Sequence, residues 1–127
     1  MRLMGIDYGK KRVGIALSDE TERFAYPHSV LDARKDLIGN TVKICRNERV
    51  GKIVLGRSLD YKMQPNEIMG AISEFKNELE IASGLTIEFE DEFMTTQEAG
   101  RLQGENKMSD ASAAALILKS YIDKHQS

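Results

Sequence analysis

The sequence predicts an α/β fold: a mixed sheet of three antiparallel strands followed by parallel strands, with helices on both faces. Three observations lead there. The first thirty residues hold β-prone segments separated by turns too short for anything but antiparallel pairing. The remainder alternates strand with amphipathic helix, and strand–helix–strand connections imply parallel neighbours. Finally, no internal repeat, low-complexity tract or linker divides the 127 residues, which therefore read as one domain with a single sizeable core.

Residues 2 to 8, 12 to 18 and 24 to 30 are the expected meander, split by Gly9-Lys10-Lys11 and by the polar turn Asp19-Glu20-Thr21-Glu22-Arg23. From Asp36 to Glu48, Ile38, Val42 and Cys45 recur at i, i+4 and i+7 with Leu37 and Ile44 at the edges, the pattern of a helix packing one face. Ile53-Val54-Leu55-Gly56 reads as a short buried strand. Pro65 suits the first position of a helix whose Ile68, Ile72, Phe75, Leu79 and Ala82 form a stripe, and Ser83-Gly84 ends it. Leu85 to Glu90 alternates as a strand and leads into Asp91-Glu92. Thr95 and Glu98 have the spacing of a capping box opening a short helix. A last helix runs from about Ser109 to His125, its inward stripe being Asp110, Ala113, Ala114, Ile117 and Tyr121.

Composition narrows the function. The chain is 41% hydrophobic and 30% charged, with a net charge of −2, so any polyanion must be held by a local patch. One cysteine and two histidines, Cys45, His28 and His125, exclude an internal disulfide and make a structural zinc site a poor reading. Cys45 lies on an apolar stripe and reads as core, not as a catalytic thiol. An acid at position 7 interrupts any signal-peptide stretch, and no run approaches the roughly 20 apolar residues of a membrane span. The expectation is a cytoplasmic protein without a membrane partner.

Asp7 closes the apolar strand Met4-Gly5-Ile6, and a carboxylate there is costly unless something offsets it. Sites in open α/β sheets gather beyond the carboxyl ends of the parallel strands. Asp7, Asp91 and Glu92 all end strands, so they meet if their strands are neighbours, and Asp110 closes the cluster from the first turn of the last helix. Carboxylates about 4 Å apart repel by roughly 4 kcal/mol at an effective dielectric near 20, so such a cluster takes up protons or binds cations. Oxygen ligands alone suit Mg²⁺ or Mn²⁺, and two ions about 4 Å apart suit in-line phosphodiester hydrolysis. Each acid also has a plainer role: Asp110 favours the helix macrodipole, and Asp91-Glu92 is ordinary strand-end charge. Lys10, Lys11, Arg12, Arg34 and Lys35 are candidate phosphate contacts, whereas Lys43, Arg46 and Lys52 read as an exposed face. Thr95 and Thr96 read first as helix caps and second as substrate contacts.

The segment Gly5-Ile6-Asp7-Tyr8-Gly9-Lys10-Lys11-Arg12-Val13-Gly14-Ile15-Ala16-Leu17-Ser18-Asp19 closely resembles the signature of the YqgF/RuvX family, bacterial RNase H-like proteins described as pre-16S rRNA nucleases or Holliday junction resolvases. Asp91-Glu92 followed by Thr95-Thr96-Gln97-Glu98-Ala99, and Asp110-Ala111-Ser112-Ala113-Ala114-Ala115-Leu116-Ile117-Leu118-Lys119-Ser120-Tyr121, agree with the family in type and order. The resemblance implies an RNase H-like fold over residues 1–127 and a metal-dependent nuclease whose catalytic acids match Asp7, Glu92 and Asp110. Asp7 bridges two Mg²⁺ or Mn²⁺ ions in that reading, and Asp91 is the alternative to Glu92 as ligand.

The chain departs from the family at two further places and in one loop. Asp91-Glu92-Phe93 stands where relatives have Asp-Glu-Arg, which removes a cation beside the acids. Arg57-Ser58 replaces Leu-Pro after Gly56, and Arg57 is a candidate substitute for that cation. The segment between Ala99 and Asp110 is short and carries only Arg101 and Lys107 as cations. Altered or weaker nucleic-acid binding is the expected consequence. The leading expectation is an endonuclease acting on structured nucleic acid, precursor 16S rRNA first and a four-way DNA junction second, as a monomer or a homodimer. A non-catalytic RNA-binding or ribosome-assembly module is the competing class. An ATPase of the actin-like and sugar-kinase type also begins with an acid-glycine strand, but its cleft needs a second domain of similar size.

Overall fold

Short turns fold the N-terminal third into a meander of β1 (Arg2–Asp7), β2 (Arg12–Ser18) and β3 (Ala25–Asp32). The computed structural model describes residues 1–9, 11–58, 67–92 and 108–125, with side chains described at all of these except 57, 58, 67–69, 91, 92, 108 and 109. The turn between β2 and β3 is organised by Asp19, whose carboxylate accepts the Thr21 hydroxyl and the amides of Arg23 and Phe24. Those donors, the Thr21 hydroxyl foremost, hold the Asp19 carboxyl far below the usual range. β3 ends at Asp32, later than the alternation suggests, because its pairing continues to the start of β2 and Ala33 then donates to the Lys11 carbonyl at 2.9 Å.

Then come α1 (Leu37–Asn47), β4 (Val50–Ser58), α2 (Glu67–Ser83), β5 (Thr86–Glu92) and α3 (Met108–His125). β4 is longer than its four-residue apolar core, because it pairs on both sides and the flanking polar positions join the ladders. The strand order is β3-β2-β1-β4-β5, antiparallel through β3, β2 and β1 and parallel through β1, β4 and β5. β1 and β5 are therefore not neighbours, as convergence of their acids required: the first crossover lays β4 beside β1, and the second adds β5 beyond it. The expected capping-box helix and the Pro65 helix start lie outside the described residues.

Side-chain alternation divides the core. Met4, Ile6, Val13, Ile15, Ile53 and Leu55 face α1 and α2 with Cys45, Ile72, Phe75 and Leu79. The α2 stripe stops at Leu79, and Ala82, expected to extend it, is exposed in the last turn beside Ile81. On the other face, Leu3, Ala16 and Val54 pack against Ala114, Ile117, Leu118, Tyr121 and Ile122 of α3. This helix follows its expected stripe, with Ala113, Ala114, Ile117 and Tyr121 buried and Asp110 partly so at its head. It lies unusually close to the sheet. A Cβ on Gly5 would stand 2.8 Å from the Ala114 carbonyl oxygen and from the Leu118 Cβ. No helix among the described residues is long and apolar enough to cross a membrane.

Candidate active site

Asp7 is the last residue of β1, and alternation with Leu3 and Gly5 sets it on the α3 face. Its cross-strand partner in β2 is Gly14. A Cβ on Gly14 would stand 1.9 Å from the carbonyl oxygen of Asp110 and 2.9 Å from the Ala111 amide nitrogen, so the first turn of α3 rests directly on the sheet there. Directly opposed residues of an antiparallel pair have Cβ positions about 5 Å apart. Asp7 and the Asp110 turn are thus neighbours, although they come from opposite ends of the chain. Only glycine at position 14 permits that approach.

Asp110 combines an exposed part with a buried one. Its side chain is 27% exposed, yet Oδ2 has essentially no solvent contact and makes no hydrogen bond to the described residues. Arg12 Nε lies 3.0 Å from that same oxygen. Distance and charge make this an ion pair, but the N–H is not aligned for a hydrogen bond, so the oxygen's lone pairs remain undirected. A buried carboxylate oxygen with unspent lone pairs, beside a second acid on the same face, is the donor chemistry that suits a hard divalent cation. These residues fit the metal that the family resemblance implies.

The remaining acids that the sequence singled out stand at the end of β5. Glu88 and Glu90 meet α3, and position 92 follows them in phase, in register with Ser58, whereas Asp91 is in the opposite phase, in register with Arg57. Between β1 and β5 on the α3 face stands Gly56, in phase with Val54, which puts no side chain in the way. The described part of the cluster is the Asp7 and Asp110 pair; among the described residues no group of three or more acids, histidines or cysteines gathers to hold a metal. Lys10, Phe93, Thr95 and Thr96 lie outside the described residues, as do the side chains of Arg57, Asp91 and Glu92.

Beside the acids runs a groove of about 550 Å³ lined by Lys11, Arg12, Val30, Leu31, Asp32 and Arg34. The start of β2 and the end of β3 bring these residues together at the end of the sheet where Asp7 lies. Arg34 grips Asp32 through Nε to Oδ1 at 3.2 Å and Nη2 to Oδ2 at 3.4 Å. The Arg34 contact holds the Asp32 carboxyl below its ordinary value and raises the guanidinium. Three cations in one groove form a local patch on an otherwise slightly acidic protein. Lys11, Arg12 and Arg34 are brought together as the sequence suggested, and Lys35 is exposed outside the lining.

Sequence reasoning misplaced or missed other groups. Lys52 is not on an exposed face: its ammonium donates to the Tyr121 hydroxyl at 2.9 Å and pairs with Glu88 at 3.0 Å, because the α3 helix covers this part of β4. Glu90, 5% exposed, was hidden in the polar phase of its strand; it accepts from Ser120 at 2.9 Å and from Lys124 at 2.7 Å. The lysines late in α3 were the available signal. Arg12 was expected only as a phosphate contact, and its grip on Asp110 had no sequence signal. Cys45 is core as expected, with burial pushing its thiol up to about 11.

Comparison with known proteins now fixes the lineage. The RuvX family, described as Holliday junction resolvase, matches residues 1–124. The chain belongs to the RuvX family. It is 33% identical to a Chlorobaculum tepidum protein named "Putative pre-16S rRNA nuclease", over 98% of this chain and 94% of that one. It is 35% identical to an Ehrlichia chaffeensis protein of the same name, over 96% of this chain and 85% of that one. Among solved structures, the fold is similar to T. thermophilus RuvC in complex with a Holliday junction substrate (TM-score 0.63, 16% identity, 98% of this chain and 95% of that one). It is also similar to a Fowlpox virus resolvase complexed with junction DNA (TM-score 0.65, 14% identity, all of both chains). At such identities the likeness is one of fold, and it matches the RNase H-like mixed sheet expected for this family.

Proposed function

We propose that this RuvX-family chain is a metal-dependent endonuclease that hydrolyses phosphodiester bonds in precursor 16S rRNA during 5′-end maturation, in the cytoplasm and with residues 1–127 acting as one domain. The observation that carries the reading is the seating of the Asp110 turn on Gly14, the cross-strand partner of Asp7, with Asp110 Oδ2 buried and lacking a hydrogen bond. The names of the relatives support the substrate.

Asp7, Glu92 and Asp110 are the residues that hold two divalent ions, Mg²⁺ or Mn²⁺, in this reading. When bound, such ions lower the pKa of an attacking water and stabilise the leaving oxygen. The chain's own contribution is position. Asp7 is fixed by the β1 and β2 ladder, Asp110 by the close seating of α3, and Glu92 by the β4 and β5 ladder, whose register reaches Ser58 and Glu92. Lys11, Arg12 and Arg34 bind the phosphate backbone beside the acids, with Lys10, Arg57, Thr95 and Thr96 as further contacts. Asp91, on the other phase of β5, is assigned no bond to the ions.

A four-way DNA junction is the second substrate, and the resolvase description of the matching family favours it. Precursor rRNA fragments and a synthetic junction, each incubated with the protein in Mg²⁺, in Mn²⁺ and in chelator, separate the readings. Cleavage of the rRNA at its 5′ flank in metal alone supports the proposal. Cleavage of the junction in its place moves the substrate to DNA. Tight RNA binding without cleavage of either makes the chain a ribosome-assembly module.

A further inference from the structure

Among the described residues, the charged side chain seated on Asp110 is Arg12, and its surroundings give it a second place to go. It opens β2 in the same phase as Gly14, and its Nε lies 3.0 Å from Asp110 Oδ2 without the alignment of a hydrogen bond. A contact held by charge without directed lone pairs is exchangeable for another cation. The Arg12 side chain is 48% exposed and also lines the groove with Lys11 and Arg34. Its cross-strand partner in β3 is Asp32, whose carboxylate is already gripped by Arg34. Asp110, Arg12, Asp32 and Arg34 thus form a row of alternating charge from the acidic site to the basic groove.

We infer that Arg12 is a resident counter-cation: in the metal-free protein it neutralises Asp110, and when a divalent ion takes that carboxylate the guanidinium moves into the groove and grips a phosphate of the nucleic acid. The inference rests on the metal reading above. Its physical content is a competition. The arginine neutralises Asp110 without metal, weakens metal binding by the energy of its own contact, and recovers that energy on phosphate only when the nucleic acid is present. Metal and nucleic acid then bind with positive coupling, each easing the entry of the other.

The test is a Mn²⁺ titration of the protein without nucleic acid, followed by calorimetry and by the electron paramagnetic resonance of free Mn²⁺. It compares the native chain with Arg12→Gln, Arg12→Lys and Arg34→Gln. Removing one unit charge about 4 Å from the ion is expected to tighten Mn²⁺ binding by about fivefold or more in Arg12→Gln. Arg34→Gln, which leaves Asp110 untouched, is expected to keep the native affinity. Nucleic-acid binding in the presence of metal weakens in both, and the slope of log K against log salt falls by roughly 0.7 to 0.9 for each lost phosphate contact. If Arg12→Gln does not fold, Arg12→Lys replaces it, because lysine lacks Nε; it too binds Mn²⁺ more tightly than the native chain, by a smaller factor. Native binding of Mn²⁺ with equal or weaker binding in the Arg12 variants overturns the inference alone, as does equal tightening in Arg34→Gln. No Mn²⁺ binding by any of the proteins overturns the metal reading and this inference with it.

Discussion

Gly14→Ala isolates the contact on which the site is built. The new Cβ would sit 1.9 Å from Asp110 O, 2.3 Å from Asp110 C and 2.9 Å from Ala111 N. All three are backbone atoms, so no side-chain rotation relieves the clash. Ordinary contact begins at 3.4 Å, and the first turn of α3 must therefore withdraw by about 1.5 Å. Gly14 is not among the residues of positive φ, so alanine meets no backbone strain of its own and gains a few tenths of a kcal/mol to about 1 kcal/mol from the unfolded chain. Overpacking costs about 1 to 3 kcal/mol, and it dominates. For a chain of this size that lowers Tm by about 3 to 10 °C. The larger effect falls on the chemistry, because a displacement of about 1 Å among reacting groups costs on the order of 100-fold in rate. Thermal denaturation beside cleavage kinetics reads both. A variant with native Tm and native rate would refute the claim that the Gly14 seat positions Asp110 against Asp7.

Other consequences concern groups away from the acids. Cys45 is buried, with Sγ 3.9 Å from Met4 Sδ and its thiol raised to about 11, so native protein should resist iodoacetamide at about pH 8 and react once unfolded in urea. Rapid labelling of folded protein would contradict that packing. The Tyr121 hydroxyl and then Lys52 hold the Glu88 carboxyl below the ordinary glutamate value of 4.5. A depressed folded-state pKa contributes stability above the unfolded value, lost as pH falls through the folded one. Glu88→Gln should therefore lower stability near neutral pH by less than about 1 kcal/mol, because the side chain is 42% exposed, and the accompanying fall in Tm should vanish in acid. A difference that grows in acid would reverse the assignment.

Much of this was legible in the sequence, and for identifiable reasons. The meander, the α1 stripe and the α3 stripe are local patterns, carried by turns of four and six residues and by helical spacing, and α3 kept even its acid at the head. Asp7 stood out because an acid ending an apolar strand needs a partner, and Asp110 because it leads an apolar helix. What could not be read is non-local. Whether β1 and β5 touch depends on where the crossovers lay β4, and no periodicity within a strand records that. Lys52 was assigned to solvated surface because a charged residue on a strand is ordinarily there, and Arg12 was read only as a phosphate contact. Their partners Asp110 and Tyr121 arrive only when α3 packs across the sheet, and Glu88 only when β5 pairs with β4. Gly14 showed a glycine in a strand, but its reason, a helix backbone resting on its Cα, required the helix.

The central claim is that Asp7, together with the Asp110 turn seated on its cross-strand partner, makes a metal-dependent phosphodiesterase. The most direct measurement is single-turnover cleavage of a precursor 16S rRNA fragment in Mg²⁺ by the native chain and by Asp7→Asn, a substitution that keeps shape and removes charge. The account predicts cleavage by the native chain, abolished by chelator, and a loss of at least about 100-fold in Asp7→Asn with its fold and melting behaviour retained. Cleavage of equal rate by both proteins, or cleavage that persists in chelator, would contradict it.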